Sequence, residues 1–207
     1  MTSDEEDAPS PEEMLRVIQE QRVATVRWLR GDPLLLYAPW GVAWLLGYTA
    51  LFLHYGLDGH PYAPISLSQA LGVLMGAQIV AGAVSAFEIA RMSGGVRGHQ
   101  SARGTMYGYG WLAGMLLMII IGVRLSMILP PGEAALLWGG GTLMVVAVMY
   151  MAGGAIWLNW EMFFIGAWVA AVDAVGVLMG VGWFLLLTAV LLGGGFIAIG
   201  LWLRRRR

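Results

Sequence analysis

From Leu34 to Leu203 the apolar residues run in stretches of helical length, and within those stretches only Glu88, Arg124 and Asp173 carry charge. Runs of about 20 such residues cross a hydrocarbon core about 30 Å thick. Lipid offers nothing to an unsatisfied backbone N–H or C=O, so each run must close its own hydrogen bonds as a helix. The fold class is therefore all-α, a polytopic membrane helix bundle. Composition agrees: 12% of the 207 residues are charged, against about 25% in a soluble domain.

The breakers between runs divide the chain into six spans. The first, Leu34 to His54, follows Asp32-Pro33, an N-cap residue and a proline suited to the first helical position. The second covers Ser66 to Ala90, after a loop holding Gly56, Gly59, Pro61 and Pro64. The third covers Gly104 to Ile128 and stops at Pro130-Pro131-Gly132. The fourth covers Ala134 to Ile156. A turn at Asn159 leads to the fifth, Met162 to Met179, and Gly180-Val181-Gly182 to the sixth, Trp183 to Leu203. Pro39 should kink the first helix or delay its start, because proline removes a backbone donor and crowds the preceding turn.

Positive charge fixes the expected orientation. All twelve basic residues are arginine. Arg16, Arg22, Arg27 and Arg30 precede the first span, Arg91, Arg97 and Arg103 flank the second loop, and Arg204 to Arg207 end the chain. The loops at 55–65, 129–133 and 180–182 contain none. Arginine accumulates on the cytoplasmic side, so both termini are expected there, in a bacterial plasma membrane. Trp28, Trp157, Trp160, Trp183 and Trp202 fall near span ends, the depth that indole rings prefer. The terminal arginines suit anionic lipid, and stop-transfer anchoring accounts for them equally.

Two shorter segments precede the bundle. Residues 1–10 form an acidic tail, expected to be disordered, and Ser10-Pro11-Glu12-Glu13 carries the signature of a capped helix start. Over 11–30, Met14, Val17, Ile18, Val26, Trp28 and Leu29 share one helical face. Such a helix lies on the membrane surface, or packs against a partner protein or a second copy of the chain. Residues 34–203 form the transmembrane domain and 204–207 a basic tail.

The charges inside the spans are the candidate site residues, since ionisable groups at membrane depth are costly and tend to be paired or functional. Arg124 lies about five residues from the outer end of the third span, roughly 8 Å at the helical rise. Asp173 lies about seven residues from the outer end of the fifth, roughly 10 Å deep. Each stands on a stripe with small residues, Gly110 and Gly114 for Arg124, Gly166, Ala170 and Gly176 for Asp173, which suits helix packing. The matching depths predict an Arg124–Asp173 ion pair. Such a pair either fixes helix register or makes Asp173 a proton or cation site governed by Arg124. Arg124 alone would instead snorkel outward. On the second span, Gln78, Gly82, Ser85 and Glu88 recur at helical spacing. They form either a polar path toward the cytoplasm or interhelical hydrogen bonds beside Arg91.

Other chemistry has few parts. The chain has no cysteine, which removes disulfides, thiolate metal sites and cysteine catalysis. His54, Asp58 and His60 share the first outer loop, but glycines beside them leave their geometry unfixed, so they read as solvated residues rather than a metal site. His99 has no evident partner in the basic loop. Gly139-Gly140-Gly141 and Gly193-Gly194-Gly195 lack the lysine of a phosphate loop and lie inside apolar spans. Gly72-x-x-x-Gly76, Gly110-x-x-x-Gly114 and Gly176-x-x-x-Gly180 match the small-residue motif of helix association. No cofactor, metal, catalytic residue or nucleic-acid partner is indicated.

The stretch Pro33-Leu34-Leu35-Leu36-Tyr37-Ala38-Pro39-Trp40-Gly41-Val42-Ala43-Trp44, with Met149-Tyr150-Met151-Ala152-Gly153-Gly154-Ala155-Ile156-Trp157, resembles a group of small six-helix integral membrane proteins of high-GC actinobacteria, loosely labelled transporters. That resemblance implies a multi-pass membrane protein and assigns no site. Two function classes stand. One is a small transporter or channel-like protein, as a single chain or a homodimer. The other is a non-transporting membrane partner, a scaffold or regulatory subunit that docks another membrane or cytoplasmic protein through its N-terminal helix.

Overall fold

The computed structural model describes residues 32–57, 59–93 and 99–206. The acidic tail, the amphipathic segment at 11–30 and Asp58 lie outside the described residues.

Six helices follow one another: α1 (Pro33–Tyr55), α2 (Leu67–Ser93), α3 (His99–Ser126), α4 (Pro131–Trp157), α5 (Trp160–Met179) and α6 (Val181–Arg205). All six are long and apolar enough to cross a membrane. Among the described residues there is no strand. Their ends follow local chemistry. Asp32 accepts the Leu34 N–H at 2.9 Å, with Pro33 opening α1. Ser66 and Gln69 cap α2 reciprocally: the Ser66 N–H donates to Gln69 Oε1 at 2.9 Å, and the Gln69 N–H to Ser66 Oγ at 3.2 Å. At the α4–α5 turn, Leu158 takes a left-handed conformation (φ 52°) and the Asn159 N–H closes on the Gly154 carbonyl at 2.8 Å. Asn159 Oδ1 then accepts the Met162 N–H at 3.1 Å to start α5.

Two expectations change in detail. The chain passes through Pro39 within one helix that starts at Pro33, so the proline does not delay the start of α1. α6 is not uniform: Thr188–Gly193 is a π-helical segment between two α-helical stretches.

α1 packs along α2 and along the length of α6, while α4 packs against α5 and α3. α5 and α4 both reach the first half of α6. α2 and α3, neighbours in sequence, therefore occupy opposite flanks and make no substantial contact with each other. The core lies between α1, α4, α5 and α6, around the fully buried Leu143, Val169, Phe184, Leu185, Leu192 and Phe196. Outward-facing residues stay apolar, including Ile79, Val80, Phe87, Met106 and Ile120. Lipid is the solvent that tolerates so continuous an apolar exterior.

Glycine sets the closest approaches. A Cβ on Gly193 would lie 2.7 Å from the Leu45 backbone nitrogen, so α6 meets α1 nearly backbone to backbone. Gly139 and Gly141 of the first triplet accommodate Phe184 and Met118, while α4 remains helical through them. The Gly110 and Gly114 positions press on Met149 and Val145 of α4, as the packing motif implies. Gly72 and Gly76 have open space around them.

Candidate functional site

Polar side chains gather at two levels of the bundle. One is the end where α1 begins and α6 finishes, brought together there with Arg204 Nε 4.0 Å from Asp32 Oδ2. Glu88 is completely buried at this end, and its Oε1 accepts the Asp32 N–H at 2.7 Å and the Arg91 guanidinium at 2.7 Å. One helical turn deeper, Ser85 Oγ accepts the Trp40 indole N–H at 2.8 Å. Ser85 and Glu88 thus clasp α2 to α1. Gln78 is half-buried and is not joined to them. The stripe that spacing placed on one face is an interhelical hydrogen-bonding seam over its inner part.

The other level lies near the opposite end and centres on Asp173 of α5. A Cβ on Gly176 would lie 3.0 Å from Phe184 Cα, so positions 176 and 184 face each other across the antiparallel α5–α6 pair. Asp173 precedes Gly176 by three residues and Thr188 follows Phe184 by four, which keeps both on the facing sides. The same register sets Asp173 opposite position 187, within about one residue rise, or about 1.5 Å, of the level of Thr188. Both side chains are buried, at 8% and 1% exposure. Among the described residues, neither Asp173 Oδ1 nor Thr188 Oγ1 has a hydrogen-bond partner.

The surroundings explain why. α4 contributes Gly140, whose absent Cβ would sit 3.3 Å from Asp173 Oδ1 and 2.9 Å from Val177 Cγ2. α6 contributes Phe184, and α1 contributes the buried Tyr48, whose ring meets Phe184 edge-on at 6.0 Å and whose hydroxyl lies within electrostatic reach of Asp173. Thr188 begins the π segment. Thr142, also mid-span, shows the ordinary alternative by donating its hydroxyl to the Trp138 carbonyl at 2.6 Å. Thr188 makes no such bond back to its own helix. A π segment also shifts the i→i−4 ladder, and such bulges occur often at functional sites.

The structure does not bring Arg124 and Asp173 together. Arg124 is exposed on α3, which packs on α4 and has no comparable contact with α5. Among the described residues, the ion pairs are Arg91–Glu88 and Arg204–Asp32. Arg124 lies in the last turn of α3, whereas Asp173 lies six residues before the end of α5, and α4 stands between the two helices. The stripe through Arg124 is buried only at Gly110, Gly114 and the neighbouring Gly122, whereas Leu117 and Ile121 face outward. Asp173's own stripe is a packing face: Gly166 meets the Ala147 carbonyl and Met151 backbone, and Gly176 meets Phe184.

His54 Nδ1 lies 2.9 Å from the Ile65 carbonyl, tying the end of α1 to the loop before α2. Among the described residues no three His, Asp or Glu side chains are grouped closely enough to hold a metal ion. Sequence reasoning missed Thr188, Tyr48 and Trp40. For Thr188 a signal existed: it is eight residues beyond Gly180, as Asp173 is seven before it, so a hairpin turning there juxtaposes them.

The chain matches no protein-family model, and no curated protein or solved structure is significantly similar to it. The assignment of function therefore rests on the site itself.

Proposed function

We propose that this multi-pass membrane protein is a small transporter whose working centre is Asp173, in the packed region between α1, α4, α5 and α6. One observation carries the reading: a carboxylate at membrane depth is buried with one oxygen unsatisfied, among residues that give it no cation. An uncompensated group of that kind costs about 1–3 kcal/mol of stability, and in a membrane such residues mark ion or substrate pathways and proton relays. A proton or small cation arriving at Asp173 removes the penalty, and coupling that event to rearrangement of α6 at its π segment gives a transport cycle.

The arginine distribution supports an orientation with Arg91 and Arg204 on the cytoplasmic side, which places Asp173 nearer the outer face. The clasp of Glu88, Asp32 and Arg91 then closes the inner end of the α1–α2 pair.

The test uses purified protein in proteoliposomes on a solid-supported membrane, challenged with jumps of pH, alkali cations, amino acids and organic cations. At least one jump is expected to evoke a current that Asp173→Asn abolishes while deletion of residues 1–30 preserves it. Currents equal to those of empty liposomes throughout would refute transport. Where a partner protein co-purifies, loss of its binding on deletion of 1–30, with Asp173→Asn neutral, would establish the docking role instead.

A further inference from the structure

We infer that the ligand of the Asp173 site is a proton rather than a metal cation, bound on Asp173; this rests on the reading of Asp173 as a working centre. The oxygen count decides between the two. A dehydrated metal cation needs a ring of oxygens to replace its hydration shell, as selectivity filters supply with backbone carbonyls. Here the buried side-chain oxygens without a partner are Asp173 Oδ1 and Thr188 Oγ1. Val177 packs against Gly140 and Phe184 against Gly176 beside them. Among the described residues no further His, Asp or Glu side chains are grouped there to complete a metal site. A proton requires only one lone pair, and its arrival converts the carboxylate into a neutral acid that belongs in this apolar setting.

Hydronium at one membrane face supplies the proton: its O–H bond breaks, the O–H bond of Asp173 forms, and neutral water is left. Protonation removes the buried charge. Deprotonation restores it beside the π segment, where α6 has its least regular backbone.

Few other groups bear on this equilibrium. α1 presents the Tyr48 hydroxyl. α4 presents Gly140 at this level, and its Glu133 lies two turns away and exposed. α6 presents Thr188 and Phe184, and its arginines lie at the far end. On α5 itself, Glu161 sits in the first turn, more than three turns distant. Arg124 stands on α3, which does not pack on α5.

Infrared difference spectroscopy on the full chain in lipid, titrated with pH, reads the site directly. A carboxylic-acid C=O band that disappears on raising pH, and is missing in Asp173→Asn, is the expected result. Should Asp173→Asn fail to fold, Asp173→Glu serves, because it must move the band. A band that never titrates, one untouched by either substitution at Asp173, or one discharged by sodium at fixed pH would overturn the inference. A titrating band without solute-evoked currents supports the proton site and removes transport. Currents accompanied by a sodium-discharged band keep transport and remove the proton assignment.

Discussion

Asp173 and Thr188 stand at one level on the facing sides of α5 and α6, each with a buried oxygen that no described residue hydrogen-bonds. Two helices joined by a turn at Gly180 meet there without satisfying each other. Other polar side chains contrast with this: Ser85 accepts from Trp40, the half-buried Tyr107 donates to the Met149 carbonyl at 2.8 Å, and Thr142 donates within its own helix.

Gly140→Ala places a methyl group 3.3 Å from Asp173 Oδ1 and 2.9 Å from Val177. Overpacking of this kind costs about 1–3 kcal/mol. The variant should still insert and fold, with its transport currents and its Asp173 infrared band both altered. Parallel current and spectral measurements check this, and an unchanged pair would show that Gly140 does not shape the site.

Glu88→Ala removes the acceptor from the buried Asp32 N–H and from Arg91. Leaving the backbone donor unpaired should destabilise the protein by about 1–3 kcal/mol. Glu88→Gln keeps an acceptor oxygen and should lose less. Arg91 is more than half exposed, so the backbone bond rather than the ion pair sets the loss. Thermal unfolding in detergent ranks the variants, and Arg91→Gln is expected to be the mildest.

Trp40 and Ser85 should be coupled. A double-mutant cycle with Trp40→Phe and Ser85→Ala is expected to give about 0.6 kcal/mol, the usual size for hydrogen bonds between membrane helices. Chemical unfolding in mixed micelles measures it. Zero coupling would show that the 2.8 Å contact adds nothing to the α1–α2 clasp.

Asn159→Ala loses the cap on α5 and should cost about 1 kcal/mol. Leu158→Gly should offset part of that loss, since Leu158 is highly exposed and holds φ 52°. The same unfolding assay reads both single variants and the pair.

Six spans, their approximate ends and the cap at Asp32 were legible because hydrocarbon length and N-cap chemistry act locally. Asp173 was legible as a candidate because charge at that depth is rare. Its partner was not, since depth along a helix says nothing about which helix stands beside it. Arg124 stands in the last turn of α3, on the far side of α4 from Asp173. Thr188 escaped notice because a hydroxyl in an apolar run normally bonds its own helix, and nothing local announces that this one does not. Glu88 accepts from a backbone N–H at the start of α1, a partner that side-chain spacing cannot reveal.

The unfolding free energy of Asp173→Val, measured in bilayers by steric trapping beside the wild type, tests the central claim most directly. If the carboxylate is retained for function against stability, removing it should raise stability by about 1–3 kcal/mol, the penalty of an unsatisfied buried polar group, while transport currents vanish. If Asp173→Val instead lowers stability by a similar amount with currents intact, the carboxylate is a structural tie and the account fails.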